Sequence, residues 1–282
     1  MEGLQEILGK LNASGITYKP LPLREYEQFK ADGLNATEGT LHLEDGYHCA
    51  VCKNKGYIVK VIEDDDGYFH QAFCDCKCMP IRNSILRMRR SGLKDIIKDY
   101  TFEKFEATEP WQQTLKAAAL DYAANPEGWF FVGGQSGAGK THICTAISRE
   151  FLLSGRRVKY MLWRDEVVRL KANVNDSETY QKMIDEYKRV DVLYIDDLFK
   201  TGKGQDGAAQ KPTGADINVA FEILNFRYSN PKSVTIISSE LTEDELIDID
   251  EAIGGRIYER AKAITIGRDR SRNYRIKGAL KL

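Results

Sequence analysis

Apolar positions along the chain follow two rhythms. At Leu4, Ile7, Leu8 and Leu11, and again at Leu93, Ile96, Ile97 and Tyr100, they recur at i, i+3, i+4 and i+7, the spacing that gives a helix one apolar face. The first stripe predicts a short amphipathic helix that buries against its own domain or against a partner. The second predicts a basic linker helix leading into a larger domain. Elsewhere the apolar residues form short runs bounded by turn formers. Tyr57 to Ile62 and Tyr68 to Phe73, separated by Asp64-Asp65-Asp66-Gly67, predict a β-hairpin. Trp129 to Gly133, Arg157 to Trp163, Val190 to Asp197, Ser233 to Ile237 and Ala263 to Gly267 are strands with helical stretches between them. That alternation predicts an α/β core, a parallel sheet covered by crossover helices.

Three of these strands run into polar residues whose order matters. Trp129 to Gly133 passes into Gly134-Gln135-Ser136-Gly137-Ala138-Gly139-Lys140-Thr141 and then into the apolar helix from His142 to Ile147. A strand, a G-x-x-x-x-G-K-T loop and a helix in that order form a P-loop. Its glycines let backbone N–H groups turn inward around phosphates, Lys140 reaches the β and γ oxygens, and the Thr141 hydroxyl ligates Mg²⁺. Residues Gly134 through His142 are therefore the expected nucleotide-binding set, with ATP as the ligand. Val190 to Asp197 ends in two carboxylates, the Walker B partner of a P-loop. Asp196 is expected to hold Mg²⁺ through water, and Asp197 to orient or deprotonate the attacking water. The pair predicts hydrolysis of ATP to ADP and phosphate. Ser233 to Ile237 ends in Ser238-Ser239-Glu240, where the P-loop ATPases called AAA+ place a polar sensor. Ser238 or Ser239 fills that role, with Ser239 the expected catalytic one, or else the serines cap the helix opening at Thr242-Glu243-Asp244-Glu245.

Cysteine placement adds a second chemistry. Cys49, Cys52, Cys74, Cys76 and Cys78 crowd the hairpin, whereas Cys144 stands alone in an apolar helix and reads as a core residue. In a reducing compartment such spacing points to thiolate ligands, and tetrahedral zinc is the default ion. Five thiols and His48 compete for the places of a zinc ribbon. Cys49, Cys52, Cys76 and Cys78 are the favoured set and Cys74 the alternative. Gly56, after the Cys-x-x-Cys turn, suits the positive φ of a tight knuckle.

Charge narrows the function classes. With 41 Lys+Arg against 42 Asp+Glu, the net charge is -1, which excludes a globally basic nucleic-acid coat protein and leaves phosphate contact to local patches. Two basic stretches qualify, Ile81 to Lys98 (Arg82, Arg87, Arg89, Arg90, Lys94 and Lys98) and Arg256 to Leu282; each is also readable as a solvated face. A Gly/Gln/Ala-rich loop, Thr201 to Gly214, carries Lys203 and Lys211 and either orders on DNA or is disordered filler. No apolar run has the length of a membrane helix, and the N-terminus lacks a secretory pattern, so the expected location is the cytoplasm with no membrane partner.

At this point the chain resembles the replicative helicase loaders of DnaC and DnaI type, in their phage and Gram-positive forms, and their transposon relative IstB. The resemblance covers nearly the whole chain. It rests on Cys49-x-x-Cys52 with Lys55-Gly56-Tyr57, Cys76-x-Cys78, Tyr100-Thr101-Phe102-Glu103-Lys104-Phe105, GGQSGAGKTHICTAI from Gly133, LYIDDLF from Leu193, TIISSE from Thr235, Gly254 to Arg260, and Asn273-Tyr274-Arg275. It implies an AAA+ ATPase core with little or no lid, an N-terminal helicase-binding domain with zinc, and ATP-controlled contact with single-stranded DNA. It also implies self-association, in which an arginine acts on the neighbouring subunit's γ-phosphate. Arg256 is the first candidate; Arg260 is a second contact or pairs with Glu259 or Asp248. Glu240 departs from the pattern, since many relatives carry Asn there. The expected division is 1–80 for the zinc-binding helicase-interaction domain, 81–100 for the basic linker helix and 101–282 for the ATPase without a lid. The expected function is ATP-dependent loading of the hexameric replicative helicase in DNA replication. An IstB-like transposition helper that coats duplex DNA is the alternative, and a zinc-dependent DNA-binding adaptor with structural nucleotide is another.

Overall fold

The computed structural model describes residues 22–88, 96–202 and 210–279. It contains two compact units, Met1–Met79 and Pro80–Leu282. The stripe from Leu4 to Leu11 lies outside the described residues, as do Arg89, Arg90, Lys94 and Lys203.

In the first unit, α1 (Leu23–Ala36) and α2 (Leu41–Asp45) precede the hairpin of β1 (Tyr57–Glu63) and β2 (Phe69–Asp75). The antiparallel register runs from Tyr57 opposite Asp75 to Glu63 opposite Phe69. Asp64 sets the turn, its Oδ1 accepting the N–H groups of Asp66 at 3.1 Å and Tyr68 at 2.9 Å. Asn35 on α1 closes the outer edge of β1. Its amide donates to Val59 O at 2.8 Å and accepts from Val59 N at 2.9 Å, so one side chain takes the place of a pairing strand.

The second unit begins with α3 (Met79–Met88), which straddles the boundary, and α4 (Ile96–Asp99). Residues 89–95 between them lie outside the description, so the continuity of the expected linker helix does too. Arg82, counted above as a phosphate-facing cation, is 1% exposed. Burial removes it from any surface patch, and Ser84 on the same helix accepts the N–H of Val158 at 3.2 Å.

The core follows as α5 (Pro110–Ala124), β3 (Trp129–Gly134), α6 (Lys140–Leu153), β4 (Val158–Leu162), α7 (Trp163–Ala172), α8 (Ser177–Lys188), β5 (Val192–Asp196), α9 (Gly214–Tyr228), β6 (Val234–Ser238), α10 (Glu243–Ile249), α11 (Glu251–Arg260), β7 (Ala261–Ile266) and α12 (Tyr274–Ala279). The strands form one parallel sheet in the order β4-β5-β6-β3-β7. Alternate residues supply opposite faces. Phe130, Val132, Tyr194 and Ile236 join one cluster with Ile143 and Ile147 of α6, while Trp129, Phe131, Leu193 and Ile237 join the other with Leu224 of α9 and Ile257 of α11. With both faces buried the strands read as unbroken apolar runs.

Strand ends shift by a residue or two from expectation, and two of the shifts have a clear cause. Trp163 opens α7 instead of closing β4: it is 1% exposed, packs edge-on against Phe199 at 5.4 Å, and is followed by Asp165 and Glu166 in a first helical turn that favours acids. β7 begins at Ala261 because α11 passes directly into it. Arg227 of α9, 0% exposed, braces the sheet by donating to Thr235 Oγ1 and to the carbonyls of Tyr187, Lys188, Val190 and Val234. Burial without a carboxylate partner in these bonds brings its pKa down to about 10.

Candidate active site and candidate metal centre

The P-loop follows from where β3 stops. Gly134 has φ 96°, and a Cβ there would lie 2.1 Å from Ile266 O, so only glycine lets the chain turn beside β7. The loop then meets α6, whose first residue, Lys140, is 6% exposed. Its ammonium donates to Gly134 O at 2.9 Å and Gln135 O at 2.8 Å. Burial depresses its pKa, and the nearby Asp197 and Glu240 carboxylates oppose that. The loop forms one wall of a cavity of about 680 Å³. Tyr100, Phe105 and His142 form an aromatic wall of the same cavity. His142 stacks on Tyr100 at 4.5 Å with 3° between the rings and bonds Thr101 O at 2.9 Å through Nε2; burial lowers its pKa and favours the neutral imidazole.

Across the loop, Asp196 at the end of β5 is 3% exposed and accepts four hydroxyl donors. They are Thr141 at 3.1 Å, Tyr160 at 3.0 Å, Tyr194 at 2.7 Å and Ser238. Burial, reinforced by Asp196 itself, pushes both tyrosine pKa values far up, so their hydroxyls stay donors. The Thr141–Asp196 pair is the donor set a P-loop magnesium ion uses, brought face to face; such an ion would neutralise charge building on phosphate oxygens. Asp197 follows at φ 57°. Burial and the Asp196 charge raise its pKa, while Lys200 lies 2.8 Å from its Oδ2.

Sequence left the sensor place open between Ser238 and Ser239 and favoured Ser239 as the catalytic residue, but it is Ser238 that faces the carboxylates. Ser238 accepts Asp197 N–H at 3.0 Å and donates to Asp196. Ser239, one residue beyond the strand, is turned away, donating to Leu198 O at 2.8 Å and accepting Leu241 N–H at 3.1 Å. Glu240 does reach the cavity and accepts Ser136 Oγ at 2.8 Å. Arg256 and Arg260 do not line it. Arg256 donates to Ala252 O and Asn225 Oδ1 and lies 4.9 Å over the Phe221 ring; Arg260 donates to Tyr228 O. Among the described residues neither forms an ion pair, and Glu259 accepts from Tyr228 instead.

Sequence reading named Tyr194 and Tyr274 only within the motifs of the resemblance, and gave neither of them, nor Tyr160, a role at the site. Tyr194 had a signal, since it stands two residues before Asp196 on the same strand face, and Tyr160 is its register partner on β4. Tyr274 has none in local spacing. Its N–H donates to Gly137 O at 3.0 Å, its hydroxyl donates to Glu106 O at 2.8 Å, and Gln112 donates to that hydroxyl at 2.6 Å.

In the first unit the Sγ atoms of Cys49, Cys52, Cys76 and Cys78 lie within 4.8 Å of one another. Cys49 and Cys76 are 3.8 Å apart, and Cys52 and Cys78 are 3.6 Å apart. A tetrahedron with Zn–S bonds of about 2.3 Å has edges of about 3.8 Å, so the four thiols fit that ion. Cys74, the alternative ligand, is half-buried on β2 and outside the cluster. The knuckle is built by Lys53, Asn54 and Gly56, all at positive φ. Asn54 Oδ1 accepts Cys49 N–H at 2.8 Å, and Gly56 N–H points at Cys52 Sγ at 3.3 Å. Burial alone would raise the Cys52 thiol, but that amide and the other thiols bring it down to about 7.

Residues 79–277 match the family described as IstB-like ATP binding protein. The chain is 31% identical over 247 residues to the phage-like element PBSX protein XkdC of Bacillus subtilis (strain 168), covering 82% of this chain and 87% of that one. It is 25% identical over 126 residues to the replicative helicase loader DnaC of Buchnera aphidicola subsp. Baizongia pistaciae (strain Bp), covering 42% of this chain and 51% of that protein, about half its length. The crystal structure of the DnaC helicase loader superposes with a TM-score of 0.51 at 21% identity, over 61% of this chain and 99% of that one, a likeness of fold. Among the described residues no helix is long and apolar enough to cross a membrane.

Proposed function

The chain belongs to the family of IstB-like ATP-binding proteins, and from that premise we propose that it hydrolyses ATP to load a hexameric replicative helicase onto single-stranded DNA. The observation that carries the reading is the pairing of Thr141 with Asp196 at 3.1 Å, which unites the P-loop and the carboxylate strand beside one cavity. Lys140 and the loop N–H groups would hold the phosphates, the Tyr100–His142 wall the base, and Thr141 and Asp196 the magnesium ion. Asp197 would take the proton of the attacking water. The thiolate unit precedes the region that matches the family, which favours a loader with its own partner-binding module over a transposition helper. The named activity of the DnaC relative supports the same choice. Zinc would hold the partner-binding module, and ATP binding would control DNA contact.

The test is retention of a purified hexameric replicative helicase on circular single-stranded DNA. Retention is expected to require both this protein and ATP. A protein that ignores the helicase and instead joins a transposase on duplex DNA refutes the loader reading. Arg256, outside its own cavity, would serve the neighbouring subunit, where a guanidinium meets charge on the transferred phosphoryl group. Arg256→Ala should then bind ATP yet turn it over poorly, and mixing it with Lys140→Ala should restore part of the activity. No restoration, with full activity in a demonstrably monomeric protein, counts against the trans role.

A further inference from the structure

The position of Lys200 is set by an unusual turn. Asp197 and Phe199 both hold left-handed backbone, φ 57° and 59°, within four residues of the end of β5. A bulky residue such as phenylalanine seldom adopts it. Burial of Leu198 at 0% and Phe199 at 3% exposure, with Leu198 N–H on Ser238 O at 2.8 Å, pins the reversal. The result is a lysine folded back over the residues it has just passed. Its ammonium lies 2.8 Å from Asp197 Oδ2 and 3.1 Å from Glu240 Oε1. That same Glu240 oxygen accepts Ser136 Oγ of the P-loop at 2.8 Å. All four residues line the cavity that also contains Lys140 and Thr141.

We propose that Lys200 is a γ-phosphate-binding residue, held at the P-loop by Asp197 and Glu240 until a triphosphate oxygen replaces Glu240 as its partner. The proposal rests on reading the cavity as an ATP site. Glu240 occupies Ser136 and Lys200 together, and a phosphate oxygen offers both donors the same kind of acceptor. An anion arriving beside Asp197 and Glu240 would meet two carboxylates, and Lys200 is the cation bonded to both of them. A lysine suits an exchange of partners, because its three N–H donors turn freely on a flexible stem and can keep Asp197 while releasing Glu240. Its side chain is 35% exposed, which leaves room for that movement. A diphosphate lacks the group that triggers the exchange, so Lys200 and Glu240 together distinguish ATP from ADP.

Affinities for a non-hydrolysable ATP analogue and for ADP, each with Mg²⁺, test this in the full chain. Lys200→Ala should weaken the analogue by about 10- to 100-fold, the worth of one charge-assisted hydrogen bond, with ADP changed by less than about threefold. Glu240→Gln should strengthen the analogue relative to ADP, and Lys200→Ala combined with Glu240→Gln should recover part of the loss. Equal changes for both nucleotides in Lys200→Ala, or an unchanged analogue-to-ADP ratio in Glu240→Gln, overturn the proposal. Wild-type protein that binds neither nucleotide would instead overturn the ATP reading beneath it.

Discussion

Replacing Cys49 with serine is expected to release zinc and unfold residues 47–80 while leaving ATP binding nearly intact. Among the described residues of the first unit, the buried apolar side chains apart from Ala31 and Val59 are Cys49, Cys52, Cys76 and Cys78 themselves. Apolar burial among these residues is slight, so metal binding is expected to carry most of the folding free energy, about 10–16 kcal/mol in comparable small sites. Elemental analysis should find about one zinc per wild-type chain and none in Cys49→Ser, and limited proteolysis should cut the variant first around the hairpin. Cys74→Ser, outside the cluster, should keep its metal and its resistance. The reverse pattern, with Cys74 needed and Cys49 dispensable, would sink the assignment. Helicase binding should fail in Cys49→Ser and persist in Cys74→Ser.

Lys140→Ala and Asp197→Asn should separate nucleotide binding from turnover. Lys140 is nearly buried at the P-loop, and losing a buried, hydrogen-bonded charge costs about 2–5 kcal/mol, which is at least ~30-fold in affinity. Asp197→Asn keeps the shape and the left-handed turn, which asparagine tolerates, but cannot accept a proton. Its nucleotide affinity should stay within a fewfold of wild type while phosphate release slows by about 10²–10⁴. Fluorescent-nucleotide titration and steady-state phosphate release measure the two quantities. Wild-type turnover in Asp197→Asn would move the catalytic role to another carboxylate, with Glu240 next in position.

What could be read from sequence was local. The P-loop, the Asp196-Asp197 strand end and the thiol pairs are each contiguous, so spacing alone carried them. The Ser238 and Ser239 assignment turned on where β6 ends, and a one-residue ambiguity there reverses which hydroxyl meets Asp196. Lys200 sits next to a motif that was recognised, yet its meaning depends on left-handed φ at Asp197 and Phe199, which composition does not announce. Arg82 illustrates the opposite error: in a list of cations it looks solvated, and only the packing of α3 buries it. Asn35 and Arg227 are further cases, polar side chains whose work is to satisfy backbone groups far away in sequence.

The bond from Tyr274 to Gly137 has a mechanical consequence. Residues 270–276 are joined to the rest of the fold at the P-loop, through Tyr274 N–H on Gly137 O, and at the domain entry, through the Tyr274 hydroxyl on Glu106 O. Tension applied at α12 therefore reaches the phosphate-binding backbone through the Tyr274–Gly137 bond. A bead, surface or bulky fusion hung on that end would act as a lever on the loop. The same load attached ahead of α1 would pull on the thiolate unit instead.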